Sequence, residues 1–170
     1  MTAATHGDGT LRASHGATLI EEGALPRDAR LAVVASRYHS AIVQALLDGA
    51  CEVGARELGE GRVDVLPVPG SFELGLAARA AAASGRYAAV VALGCVIRGD
   101  TPHFDYVCAE AARGITLAWL ETGVPIGFGV ITVENAEQAW ERAGGSAGNK
   151  GAEAASAALQ LARTLAGLQS

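Results

Sequence analysis

Four short, largely apolar runs recur along this chain, at residues 31–35, 63–68, 88–93 and 126–133. Between and after them lie stretches whose apolar residues return every third or fourth position. A run such as Leu31-Ala32-Val33-Val34-Ala35 has no polar alternation, which is the pattern of a strand buried on both faces. Ile42, Leu46, Ala50 and Val53 share one side of a helix, as do Val107, Ala111, Ile115 and Ala118. Further helices are predicted over residues 72–84, 103–121, 135–143 and 151–168. Strands alternating with helices predict an α/β three-layer sandwich with a four-stranded parallel sheet. Residues 1–28 lack this pattern and read as a flexible arm, with residues 17–20 suited to an edge strand. Residues 29–170 form the domain.

Composition excludes several classes of function. The formal net charge is -5, and no cluster of Lys or Arg forms the basic face that a nucleic-acid binder needs. No apolar run is long enough to span a bilayer, and no signal peptide is evident, so a cytoplasmic protein is expected. Cys51, Cys95 and Cys108 form no C-x-x-C pair and read as buried small hydrophobes, with neither disulfide nor zinc site. Aromatic residues make up 5% of the chain and Gly numbers 22. Each subunit thus has little bulky surface to bury internally, which hints at stability gained by assembly.

In a parallel α/β sheet, ligands collect at the carboxyl ends of the strands. The unusual residues of this chain cluster there. The richest segment is Gly94-Cys95-Val96-Ile97-Arg98-Gly99-Asp100-Thr101-Pro102-His103-Phe104. Thr101 suits an N-cap and Pro102 the first helical position, and free amides at a helix start favour a phosphate. His103 then stands in the first turn, where the helix dipole favours a neutral imidazole able to accept a proton. Pro69-Gly70-Ser71-Phe72-Glu73 offers a tight turn, amides and a carboxylate, although by itself it reads better as a helix start with a stabilising glutamate in the first turn. Tyr38 offers a ring to stack on a flat heterocycle, and by itself reads equally well as a partly buried packing tyrosine. Arg142 suits a phosphate, although a cation at a helix end is stabilising anyway, and Lys150 is similar. His6, His15 and His39 carry no partner signal and read as exposed. No Walker loop, Rossmann glycine set, H-E-x-x-H or G-x-S-x-G occurs, so no nucleotide cofactor and no metal site is expected.

Taken together and in order, these segments resemble lumazine synthase. The matching pieces are Pro69-Gly70-Ser71-Phe72-Glu73, Ala92-Leu93-Gly94, Val96-Ile97-Arg98-Gly99, Thr101, His103-Phe104, Asp105-Tyr106-Val107, Phe128-Gly129-Val130, Glu137-Gln138-Ala139, Arg142-Ala143-Gly144 and Gly148-Asn149-Lys150-Gly151. The resemblance covers residues 31–166 and implies a flavodoxin-like sheet. It implies the penultimate step of riboflavin biosynthesis. There, 5-amino-6-(D-ribitylamino)uracil condenses with 3,4-dihydroxy-2-butanone 4-phosphate to give 6,7-dimethyl-8-ribityllumazine, phosphate and water, without a cofactor. By resemblance Tyr38 stacks on the pyrimidine, Ser71, Phe72 and Glu73 line the ribityl side, and Cys95, Val96 and Ile97 meet the pyrimidine. Asp100 and Thr101 face phosphate, and His103 transfers protons. Phe128 and Arg142 complete a neighbour's pocket, with Arg142 on phosphate and Lys150 as an additional cationic contact.

The chain departs from the family pattern at Gly75, where proline is usual and whose replacement implies a looser helix start. Tyr38 stands for phenylalanine or tryptophan, Asp100 places an acid beside the phosphate, and Ser146 stands where a basic residue is common. The resemblance also implies a homopentamer, with an icosahedral shell of sixty subunits as a further step, and riboflavin synthase as a partner. A catalytically weak shell protein that binds riboflavin or lumazine is the alternative. The retained Thr101, His103 and Arg142 argue against it.

Overall fold

The structure is a computed structural model, and it describes residues 11–168. Its elements run β1 (Leu31–Ser36), α1 (Ser40–Leu58), β2 (Val63–Val68), a 3-10 turn (Ser71–Glu73), α2 (Leu74–Ala83), β3 (Ala89–Ile97), α3 (His103–Thr122), β4 (Ile126–Val133), α4 (Ala136–Arg142), β5 (Ala143–Gly145), β6 (Gly148–Asn149) and α5 (Lys150–Gly167). The four long strands are parallel, in the order β2-β1-β3-β4. The expected flavodoxin-like three-layer sandwich is present.

The two-residue period of a strand divides the core into two apolar layers. Leu31, Val33, Val91 and Leu93 pack under α1 and α5, with Leu46 and Leu159. Ala32, Val34, Val90 and Ala92 face α2 and α3, with Leu74, Ala78 and Ile115. Central β1 is buried at every position, while edge strand β2 is fully buried only at Val68. An edge position explains why β2 accommodates Pro67 and the carboxylate of Asp64.

Several boundaries differ from expectation, and each difference moves site residues. β3 continues four residues beyond Leu93, because Gly94, Cys95, Val96 and Ile97 pair with residues 130–133 of the long edge strand β4. These residues were expected in a loop; they are instead the last rungs of the sheet. α3 begins at His103 with Pro102 at the N-cap, and no side chain caps it. Thr101 is therefore not the cap: the Asp105 N–H donates to the Pro102 carbonyl and closes the first turn. Gly75 does not loosen α2. A Cβ there would stand 2.8 Å from the Gly114 backbone, so α2 and α3 cross with their main chains in contact. Between α4 and α5 lies a hairpin, β5 against β6, that was not expected.

Residues 17–20 form no strand here and are exposed. The Gly23 N–H donates to the Arg163 carbonyl, which brings that part of the chain onto the end of α5. The expectation for His6 falls outside the described residues. No helix among the described residues is long and apolar enough to cross a membrane.

Candidate active site

The carboxyl ends of β1, β2 and β3 frame a cavity of about 430 Å³, lined by the loops that follow them. From β1 the chain is turned sharply. The Arg37 N–H donates to the Val68 carbonyl, and the Tyr38 N–H donates to the buried Ser36 hydroxyl. This projects Tyr38 into solvent, 68% exposed, as one wall. His39 follows with φ 54, a left-handed conformation uncommon outside glycine. Its carbonyl accepts the N–H groups of Ile42 and Val43 and so begins α1. The His39 ring meets Tyr38 edge-on at 4.8 Å, and both line the cavity. His39 is thus half-buried in the site rather than an exposed bystander. The sequence carried a usable sign in its place directly after a strand-end tyrosine. His15, in contrast, is exposed as expected.

From β2 come Gly70, Ser71 and Phe72. Gly70 has extended backbone (φ -148), so it supplies room rather than a special turn. The Glu73 carboxylate folds back beside it, its Oε2 being 3.1 Å from where a Gly70 Cβ would lie. Ser71 is buried against Gly94: a Cβ on Gly94 would come within 2.5 Å of the Ser71 hydroxyl. The missing side chain in β3 therefore lets the 3-10 turn settle on the sheet. Phe72 is exposed at the rim.

The floor is Cys95, Val96 and Ile97, the end of β3. Burial pushes the Cys95 thiol up to about 11, so it is a neutral apolar surface and not a nucleophile. Cys51 and Cys108, expected to be buried, are each half-exposed. Gly99, Thr101, His103, Phe104 and Val107 complete the lining. Thr101 and His103 are exposed to the cavity. Asp100 is exposed and does not line it.

A stacking ring, an apolar floor, and a hydroxyl-and-imidazole loop opening a helix suit a flat heterocycle beside a small anion. Comparison with known proteins bears on this arrangement. Residues 28–166 match the model of the 6,7-dimethyl-8-ribityllumazine synthase family. The chain belongs to that family. It is 53% identical over 142 residues to 6,7-dimethyl-8-ribityllumazine synthase of Chlorobium luteolum, covering 82% of this chain and 92% of the relative. To the enzyme of the same name from Nitratidesulfovibrio vulgaris it is 49% identical over 137 residues, covering 80% and 88%.

In this member of the lumazine synthase family, the expected site residues Phe128, Arg142 and Lys150 lie away from the cavity, and Glu73, like Asp100, is not part of its lining. Phe128 projects from edge strand β4 and is 48% exposed. Arg142 ends α4, donates to the Gln138 carbonyl and lies 3.6 Å from Glu141. Lys150 is held by both oxygens of Glu153, at 2.9 and 2.8 Å. Its neighbour Asn149 caps α5 through the N–H groups of Gly151 and Ala152 and also donates to the Ala45 carbonyl.

Proposed function

We propose that this chain catalyses the condensation of 5-amino-6-(D-ribitylamino)uracil with 3,4-dihydroxy-2-butanone 4-phosphate. The observation that carries the reading is one cavity holding Tyr38, the Ser71-Phe72 turn, the β3 floor, Thr101 and His103 in a chain of this family. Tyr38 stacks on the pyrimidine, whose edge meets Cys95, Val96 and Ile97. Ser71, Phe72 and Glu73 face the ribityl chain. Thr101 and the backbone of Gly99 and Asp100 receive the phosphate.

The amine attacks the ketone, and loss of water leaves an imine. Removal of a proton from the adjacent carbon expels phosphate from the next one. The resulting enol becomes a ketone, the ribitylamine closes the ring onto it, and a second water departs. Each step moves a proton, and the imidazole of His103, which lines the cavity, is proposed to carry it. Holding two substrates in one cavity supplies much of the remaining acceleration. The test is to mix purified protein with both substrates and follow lumazine fluorescence; absence of product rejects the reading.

A homopentamer is the proposed working unit. Leu76, Leu117 and Leu120 on α2 and α3, with Phe128 on β4, are large apolar side chains left in solvent by a single subunit. Phe128 and Arg142 lie outside their own cavity and are proposed to complete a neighbour's, with Arg142 on phosphate. Lys150 joins it only if Glu153 releases the ammonium. The tight β5–β6 hairpin supports further closure into an icosahedral shell. Residues 17–20, within the arm, are proposed to pair with a neighbouring sheet edge. Riboflavin synthase, which consumes the lumazine, is the proposed partner, and the cytoplasm the proposed compartment.

A further inference from the structure

Arg98 belongs to none of the roles above, yet it is the most heavily engaged residue around the phosphate loop. It stands directly after β3, where its N–H donates to the Val133 carbonyl at 2.9 Å. Its side chain turns back across the loop to the helix that the loop leads into. Nε lies 3.0 Å from Glu134, just past β4, and Nη1 lies 3.2 Å from Asp105 in the first turn of α3. The guanidinium carbon sits 4.1 Å from the centre of the Phe104 ring, a wall of the cavity. Gly99, Asp100 and Thr101 are exposed, as Arg98 is, but unlike Arg98 no side chain among them is hydrogen bonded within the described residues. An exposed loop containing glycine has many conformations to lose before it can present its amides to an anion.

We infer that Arg98 is a positioning residue that clamps the phosphate loop shut, tying its first residue to Phe104 and Asp105 of α3 and to Glu134 beyond β4. A planar guanidinium has two edges and a face, and here each is used by a different partner. That fixes its plane and, through the main chain, the path from Gly99 to Pro102. A lysine at this position supplies the charge but not the plane. Two carboxylates already engage the cation, so Arg98 serves the phosphate by shaping the loop and not by touching it.

The inference rests on the reading of this loop as the phosphate site, and the experiment separates the two. The probes are inorganic phosphate, titrated without turnover, and both substrates in the lumazine assay. The variants are Arg98→Lys, Asp105→Asn and Glu134→Gln. The two carboxamide variants remove negative charge near the loop, which by itself favours an anion. A clamp predicts the opposite: all three variants weaken phosphate and raise KM for the butanone phosphate about three- to tenfold, with KM for the pyrimidine within about twofold. Tighter or unchanged phosphate binding in Asp105→Asn and Glu134→Gln overturns the clamp and makes Arg98 a direct ligand. Equal loss for both substrates, alongside lowered thermal stability, overturns it in favour of a purely structural role. Should Arg98→Lys fail to fold, the carboxamide variants retain Arg98 and decide the matter. A wild-type protein that binds phosphate but forms no lumazine refutes the proposed function and leaves the clamp standing.

Discussion

His103 is the first residue of α3, and its ring borders the cavity beside Thr101. Replacement by alanine removes the proposed proton carrier but leaves the Tyr38 ring, the β3 floor and the loop proposed to hold phosphate. His103→Ala is therefore expected to lower kcat on the order of 10²-fold, with residual turnover from positioning. Steady-state rates across the neutral pH range check this, and an unaltered rate removes His103 from the chemistry. A second residue-scale prediction lies at the opposite end of the sheet. Asp64 accepts two hydrogen bonds from Arg30, at 3.1 and 2.6 Å, and one from the Tyr87 hydroxyl at 3.0 Å. The Arg30 bonds hold its carboxyl below the usual range, outweighing partial burial, with Tyr87 and Arg86 adding to the effect. A depressed folded pKa gives stability that is complete above the ordinary Asp value of about 3.9 and is lost as pH falls through the folded value. Urea unfolding between neutral and acidic pH is expected to show that loss in the wild type and a flatter profile in Asp64→Asn.

At the scale of elements, α5 is seated on α1 by an approach that admits no side chain. A Cβ on Gly151 would overlap the Leu46 carbonyl, and Asn149 bridges the same two helices. Gly151→Ala is expected to cost about 1–3 kcal/mol by forcing the helices apart. Gly99→Ala, with nothing within 4 Å of the added carbon, is expected to leave the unfolding midpoint unchanged. Chemical denaturation of both variants measures the contrast. Gly148-Asn149-Lys150-Gly151 thus has a packing role that its basic residue concealed. From the sequence, the lysine suggested an anion contact. In the fold, the asparagine and the second glycine hold the segment in place.

For the whole molecule, the prediction concerns sites shared between subunits. Arg142→Ala is expected to weaken the butanone phosphate by about 2–5 kcal/mol and the pyrimidine far less, since only the former carries a dianion. If Arg142 acts in a neighbour's cavity, subunits carrying His103→Ala and subunits carrying Arg142→Ala complement each other when assembled together. About one site in four then has both groups intact, and activity exceeds that of either parent. Activity no higher than the average of the two parents places both residues in one subunit's site. Light scattering on dilute protein measures the assembly itself. A fully active monomer or dimer refutes the shared site, whereas a stable free pentamer refutes only the shell.

Local pattern was enough to identify the sheet, its helices and most of the cavity wall. Burial on two faces demands continuous apolar runs, and a strand-end site demands polar residues just after them. Tyr38, Ser71, Phe72, Thr101 and His103 were legible for that reason, and they meet in one cavity. The ordered motifs carried the functional reading beyond what periodicity supplies. Tertiary contacts decided the rest. β3 extends to Ile97 only because β4 is there to pair with it. His39 enters the site because the chain turns in a left-handed conformation after Tyr38. Arg98 became a clamp, and Gly75 a crossing point, through partners at residues 104, 105, 134 and 114. Strand and helix periods report which face of an element is covered. They carry no information about which distant residue does the covering, and that is settled only when the layers pack.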